Sequence, residues 1–352
     1  MNGELAVKMD DIARLAEVSK SAVSLALNNK PGIGAETREK IIRIAEENGY
    51  QFKPKASLPD KPVKTLLFLV LNNSGIVLEN YYQQPFFREL IHFIEEHCRL
   101  NGYSLRFSAA DINDLENNMQ TVKEENKDNG VILLGTNLDR QQIEFIADQL
   151  PHLVVLDTCF DTLPINFVQI NNEMGAYQAG KYLYEKGHRT IGYMASDVRI
   201  HNFNARKRGF RLALKEYGLA IAEEHVFHVA PTILSSQPEM KKQLEAYISS
   251  GEPMPSAIFC ECDYIAISAV KTLTELGFRI PEDISVIGFD NISEARIITP
   301  ELTTIHVDKD KIAQVAVDLI ISQLAQESDM KVKISIDTKF IERLSCAAPS
   351  NP

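Results

Sequence analysis

From Thr65 onward the chain alternates short, wholly apolar runs with long amphipathic stretches, and this alternation restricts the fold more than any other feature. Residues 66–71, 131–134, 154–156, 190–194, 257–259 and 286–289 lack the every-other-residue polarity of strands with one wet face. Such runs read as strands buried on both faces. Helical stretches such as 86–101 separate several of them, which predicts an α/β body with parallel sheets. Residues 65–352 are too many for one typical sheet domain and suit two lobes.

The first 50 residues are built differently. Residues 9–49 carry three short helical patterns divided by turn chemistry, with no room for strands. Asp10 or Asp11 is placed to cap a first helix, on which Ile12, Leu15 and Ala16 share one face. After the Glu17-Val18 turn, Ser19 is an N-cap for a second helix from Lys20 to about Leu27, with Val23 and Leu27 inward. Asn28-Asn29-Lys30-Pro31-Gly32 ends it, since proline cannot continue the backbone hydrogen bonds. The spacing predicts a third helix over 37–48, with Ile41, Ile44 and Ala45 on one side and Gly49 as its C-terminal cap. Two helices joined by a short turn and braced by a third form a helix-turn-helix, whose second helix enters the DNA major groove. A three-helix protein-binding module has the same spacing. On the outer side of the second helix, Lys20, Ser21, Ser24, Leu25 and Asn28 offer a cation, two hydroxyls, an amide and a contact for a thymine methyl.

Charge distinguishes the two parts. Residues 1–64 hold 11 Lys+Arg against 9 Asp+Glu, whereas the remainder holds 26 against 39. An anionic partner therefore meets the head, because the body repels it. Five scattered cysteines do not make a disulfide framework and fit a reducing compartment. Glu4 interrupts any secretory start, and no apolar run approaches the ~20 residues of a membrane span, so a cytoplasmic protein without membrane contact is expected.

The head sequence from Met9 reads Met-Asp-Asp-Ile-Ala-Arg-Leu-Ala-Glu-Val-Ser-Lys-Ser-Ala-Val-Ser-Leu-Ala-Leu-Asn, with Thr37-Arg38-Glu39-Lys40-Ile41 and Gly49-Tyr50 downstream. In these residues the chain resembles the lactose-repressor family of bacterial transcription regulators. The resemblance continues through Pro85-Phe86-Phe87, Gly187-His188-Arg189-Thr190-Ile191-Gly192, Arg206-Lys207-Arg208-Gly209-Phe210, Pro281 to Asp290 and Pro300 to Ile305. It implies a small all-α helix-turn-helix head (1–52), a linker (53–64), and a two-lobed periplasmic-binding-protein-like core of parallel sheets (65–352). The chain would cross between lobes near 161, 291 and 325, giving lobe one 65–160 with 292–325 and lobe two 161–291 with 326–352. By the same resemblance Lys20, Ser21 and Ser24 read the groove, while Ser19, Asn28, Thr37 and Tyr50 help hold the DNA backbone. Glu17, Ala22 and Leu25 depart from the usual Gly, Thr and Arg, so a different operator is expected. The family's hinge helix wedges a leucine into the minor groove. Here Phe52, Lys53, Ala56 and Pro59 stand at its positions, with Leu58 one place early, among the prolines Pro54, Pro59 and Pro62. A degenerate hinge is expected.

A small-molecule effector, a sugar or sugar derivative, would lie between the lobes beyond the carboxyl ends of the strands. Arg206, at the start of a predicted helix, and Asp263, after a predicted strand, stand where cleft residues belong. Phe86 and Phe87 offer rings for stacking. Both charges are alternatively a structural ion pair, and both rings alternatively core. The expected regulator is a repressor acting as a homodimer on a pseudo-palindromic operator, because two-fold symmetry doubles the contacts of one small head. A sugar-binding receptor or transport protein without a DNA role is the alternative. An enzyme is not expected: no nucleophile or acid–base pair with defensible spacing emerges. No cofactor or metal is expected either. Cys260 and Cys262 have no second Cys/His cluster nearby and read as buried thiols, His225 and His228 read as surface residues, and His188 as a helix-end cap.

Overall fold

The computed structural model describes residues 7–27, 32–48, 50, 64–72, 84–126, 129–325 and 330–350. It divides into two units, 1–62 and 63–352. The first holds α1 (Met9–Ala16), α2 (Lys20–Leu27) and α3 (Ala35–Glu47) around Ile12, Ala16, Val23, Ala26, Ile41 and Ala45. Leu15, expected inside, is 51% exposed, while Leu27 is half-buried against the head core as expected and Ala26 is buried beside it. α1 begins behind Lys8, whose backbone N–H donates to the Asp11 carboxylate at 3.0 Å, so neither Asp10 nor Asp11 is the cap residue itself. Glu17 closes α1 in the left-handed conformation, φ 57°. α3 starts two residues before the expected Thr37, behind an extended Gly34. Asn48 caps it, and the expected cap Gly49 lies outside the described residues.

The body opens with β1 (Thr65–Asn72), α4 (Pro85–Leu100), β2 (Ser104–Asp111), α5 (Leu115–Glu125), β3 (Gly130–Leu134), α6 (Arg140–Gln149), β4 (Leu153–Leu156) and β5 (Asn166–Ile170). Then follow α7 (Asn172–Glu185), β6 (Ile191–Ser196), α8 (His201–Glu216), β7 (Val226–Val229), α9 (Gln237–Ser249), β8 (Ala257–Cys260), α10 (Asp263–Glu275) and β9 (Ser285–Ile287). β10 (Thr304–His306), α11 (Lys309–Ala325), β11 (Lys333–Ile336) and β12 (Lys339–Ile341) complete the chain. One sheet has the order β11-β5-β4-β3-β1-β2, parallel throughout, and the other the order β7-β6-β8-β9, also parallel. The central strands β1, β3 and β4 are buried on both faces, as their unbroken apolar sequence requires.

The lobes part later than expected. β5 and β11 both belong to the first sheet, so the chain crosses near 171, between β10 and α11 near 307, and near 337, rather than near 161, 291 and 325. α11 belongs to the first lobe, where Ile312, Ala316 and Ile320 pack into the core beside α4. Polar residues interrupt β5 (Asn166 and Gln169) and alternate along β11 (Lys333 and Ser335), which masks both as buried strands in sequence. Lobe one is thus 64–170 with 309–336, and lobe two 172–306 with 339–350.

Candidate DNA-reading surface and effector cleft

On the head, Ser19 Oγ accepts the Ala22 N–H at 3.2 Å, the bond of an N-cap. Lys20, the first residue of α2, reaches back to Asp10 of α1, with Nζ to Oδ2 at 2.8 Å. Ser21 is exposed, and Ser24 and Leu25 are half-buried. Arg38 Nη1 donates to the Leu25 and Ala26 carbonyls at 3.2 and 3.3 Å, satisfying the end of α2 from α3. Thr37 is half-buried in the first turn of α3, and Tyr50 packs against the head core while its N–H bonds the Ala45 carbonyl at 2.9 Å. Asn28 and the hinge positions 51–63 lie outside the described residues.

In the body, the loops beyond the carboxyl ends of both sheets face one another across a cleft of about 410 Å³, part of it open to solvent. Phe86 and Phe87 at the start of α4, with Thr136 after β3 and Asp157 after β4, line it from lobe one. Ile200, Asn202, Phe203 and Arg206 of α8, Tyr264 of α10 and Asp290 after β9 line it from lobe two. Arg206 is 3% exposed. Its Nε donates to Asn172 Oδ1 at 2.8 Å, Nη1 to the Glu261 carbonyl at 2.7 Å and Nη2 to Asp290 Oδ1 at 2.9 Å, while the guanidinium lies 3.7 Å from the Phe289 ring centre. Three of five donors are thus spent on fixing the side chain. Gly209, one turn on, permits this placement: a Cβ there would collide with the Glu173 backbone of α7.

Asp157 accepts from Thr136 Oγ1 at 2.6 Å and from Asn202 Nδ2 at 2.7 Å, the second bond running between lobes. Burial pushes its carboxyl up to about 6, against the pull of those two hydrogen bonds and of Arg206. Burial likewise raises Asp290, opposed by Arg206 and Lys309. Both acids have positive φ, 63° and 114°, uncommon for non-glycine residues and typical of ligand clamps.

Asp263 stands elsewhere. It is fully buried, its Oδ1 accepting from Thr304 Oγ1 at 2.6 Å and its Oδ2 from the Ile292 N–H at 2.9 Å, and it does not line the cleft. Both oxygens bind the chain that follows β9, so the carboxylate joins segments of lobe two instead of facing a ligand. Arg206, Phe86 and Phe87 are brought together, whereas Asp157, Asn202, Thr136 and Asp290 were missed. Thr136, Asp157 and Asp290 each lie just past the carboxyl end of a strand, which is the position rule that would have found them.

His188 is buried, its ring between Ser256 Oγ and the Ala347 carbonyl, both at 2.9 Å, so that it pins the C-terminal segment, while its backbone N–H donates to the Leu183 carbonyl at 3.0 Å and closes the end of α7 as expected. His225 bonds Tyr247 Oη at 2.9 Å. Cys260 and Cys262 are buried thiols, and among the described residues no group of three or more His, Cys, Asp or Glu is arranged to hold a metal. No helix among them is long and apolar enough to cross a membrane.

Residues 8–52 match the model for bacterial regulatory proteins of the lacI family, and 181–346 match that for a periplasmic binding protein-like domain. The chain is 32% identical to the ribose operon repressor of Haemophilus influenzae over 329 residues, 91% of this chain and 93% of that repressor. It belongs to the lacI family of bacterial regulatory proteins. It is also similar to the transcriptional repressor PurR of Pasteurella multocida, 29% identical over 339 residues, 95% of this chain and 97% of PurR. The lac repressor dimer bound to operator and the anti-inducer ONPF shares the fold at a TM-score of 0.69 and 22% identity, with 98% and 100% of the two chains covered. The regulator CelR in complex with cellobiose does so at 0.70 and 22%, with 96% and 99% covered. This lacI-family chain is a DNA-binding transcriptional repressor, not an enzyme.

Proposed function

We propose that this repressor is a cytoplasmic homodimer whose hold on a pseudo-palindromic operator is set by a pentose or hexose bound between the lobes of its body. The observation that carries the sugar is the convergence of Asp157, Asn202, Arg206 and Asp290 on one cleft beside Phe86 and Phe203. Carboxylates accept from vicinal hydroxyls, the guanidinium and amide donate to them, and the rings cover the apolar face of a sugar. The relatives that bind or are named for sugars, the ribose operon repressor and CelR with its cellobiose, support the same class. In the head, Lys20, Ser21, Ser24 and Leu25 read the major groove, with Ser19, Asn28, Thr37 and Tyr50 holding the backbone, each head taking one half-site. Differential affinity of the sugar for DNA-competent and DNA-incompetent states supplies the control.

Calorimetric titration with ribose, other pentoses, hexoses and the free purine bases tests this, followed by operator gel shift with any ligand that binds. Saturable binding of one sugar that also moves operator affinity is expected. A purine base binding while every sugar fails would overturn the sugar assignment.

A further inference from the structure

Asp10 and Lys20 belong to different helices of the head, yet their charged groups meet at 2.8 Å with both side chains more than half exposed. Lys20 is the first residue of α2, where the partial positive charge of a helix start disfavours a cation. Asp10, in the first turn of α1, supplies the opposing charge from outside that helix. An ammonium on a four-carbon stem is otherwise a mobile point charge, able to settle on any nearby phosphate and so carry no sequence information. The bond to Asp10 uses one of its three donors and leaves two, the number that guanine O6 and N7 accept.

We propose that Asp10 is a positioning residue for DNA specificity: it withholds Lys20 from the phosphates and aims it at a guanine of the half-site. This rests on Lys20 reading bases, as set out under the proposed function. The carboxylate sharpens the choice. It repels phosphate and the acceptor edges of guanine and thymine, while its second oxygen is able to accept from a cytosine N4 amino group. A Lys–Asp pair therefore presents donors and an acceptor side by side and favours a G·C pair in one orientation.

The experiment is selection of bound sequences from a randomised operator pool by the full-length protein, its Asp10→Asn, Lys20→Ala and doubly substituted variants, with thermal unfolding as a check on the head. The parent is expected to prefer G·C at one position of each half-site. Asp10→Asn should flatten that preference by about fivefold or more, tighten binding to unrelated DNA and steepen its salt dependence, as a released lysine turns to phosphate. The double variant should have no guanine preference beyond that of Lys20→Ala and should differ from it only in losing the cytosine contact of the Asp10 carboxylate. If Lys20→Ala flattens one position while Asp10→Asn leaves it unchanged, or weakens binding equally at all positions, the positioning role is overturned and base reading by Lys20 stands. If Lys20→Ala changes no preference, base reading by Lys20 and the inference fail together.

Discussion

Asn202 of the second lobe donates from Nδ2 to Asp157 Oδ1 of the first at 2.7 Å, across the cleft. A second bond between lobes, from the Phe86 N–H to Tyr264 Oη at 3.0 Å, runs at the other wall. Lys309 Nζ of the first lobe also donates to the Asp290 carbonyl of the second at 3.3 Å, and Arg88 lies 3.9 Å from Glu294, so among the described residues the cleft is closed by separate polar contacts along its length. A hydrogen bond to a charged group contributes about 1.5 to 3 kcal/mol, so Asn202→Ala should weaken effector binding by roughly 10- to 150-fold. Calorimetric titration of the variant checks this, and an unchanged dissociation constant would remove the bond from ligand capture.

The buried acids give stability and binding opposite pH dependences. Asp157 is pushed up to about 6 and Asp263 to about 7, both chiefly by burial. A carboxyl raised in this way keeps its proton in the folded state after the unfolded chain has lost it. Its stabilising contribution is full below the unfolded value, near 4, and is lost as pH rises through the folded value. The two acids should therefore lower the melting temperature of the body as pH rises, against the opposite pull of the buried His188 and the half-buried His201 and His306, whose depressed values favour the folded state at higher pH, and Asp157→Asn should remove its share of the fall between pH 4 and 6. An ionised carboxylate accepts from sugar hydroxyls more strongly than a neutral carboxyl, so effector affinity should rise over the window around pH 6 in which Asp157 loses its proton. Parallel melting and titration series check the two signs.

The strands that the sequence made plain are those in which both faces are dry: β1, β3, β4, β6, β8 and β9. β2 and β7 sit at sheet edges with wet residues, and β5 and β11 carry polar side chains, so their patterns fade into loop. Missing β5 and β11 displaced the first and third lobe crossings, and the three-residue β10, too short to show in sequence, displaced the second. Arg206 was legible because a basic residue beside Gly209-Phe210 marks a tight helix contact. Asp157 was not: a lone aspartate after a short apolar run looks the same whether it faces a ligand or solvent, and only the fold brings it its partners, Thr136 after β3 and Asn202 of α8.

Asp263 is expected to serve the fold. Its removal leaves the Thr304 hydroxyl and the Ile292 N–H without acceptors in a fully buried place. At about 1 to 3 kcal/mol for each unpaired group, partly offset by loss of a buried carboxylate, Asp263→Ala should cost about 2 to 4 kcal/mol and lower the melting temperature by roughly 3 to 7 °C. The effector dissociation constant of the folded variant should stay within about twofold of the parent, whereas Arg206→Ala, which alters the cleft wall itself, should abolish the response. Calorimetry with operator gel shift separates them, and loss of response in Asp263→Ala without loss of stability would return it to the cleft.

Glu17 holds the turn between α1 and α2 at φ 57° and ψ 41°. A side chain in this left-handed region costs about 1 to 2 kcal/mol through the clash of Cβ with the following carbonyl oxygen. Glycine escapes the clash but gives up about 0.5 to 1 kcal/mol to the greater freedom of its unfolded chain. Glu17→Gly should therefore stabilise the head by about 0.5 to 1 kcal/mol, raising its unfolding midpoint by several degrees in calorimetry of the full chain. The turn also fixes the angle at which Ser19 and Lys20 begin α2, so a relaxed turn should hold the recognition helix at least as well. Removing a negative charge from the DNA-facing unit also tightens binding by itself, and Glu17→Gln isolates that contribution. Glu17→Gln should raise operator affinity with no gain in stability, while Glu17→Gly should raise both. Equal melting of the two variants would mean that the turn carries no strain.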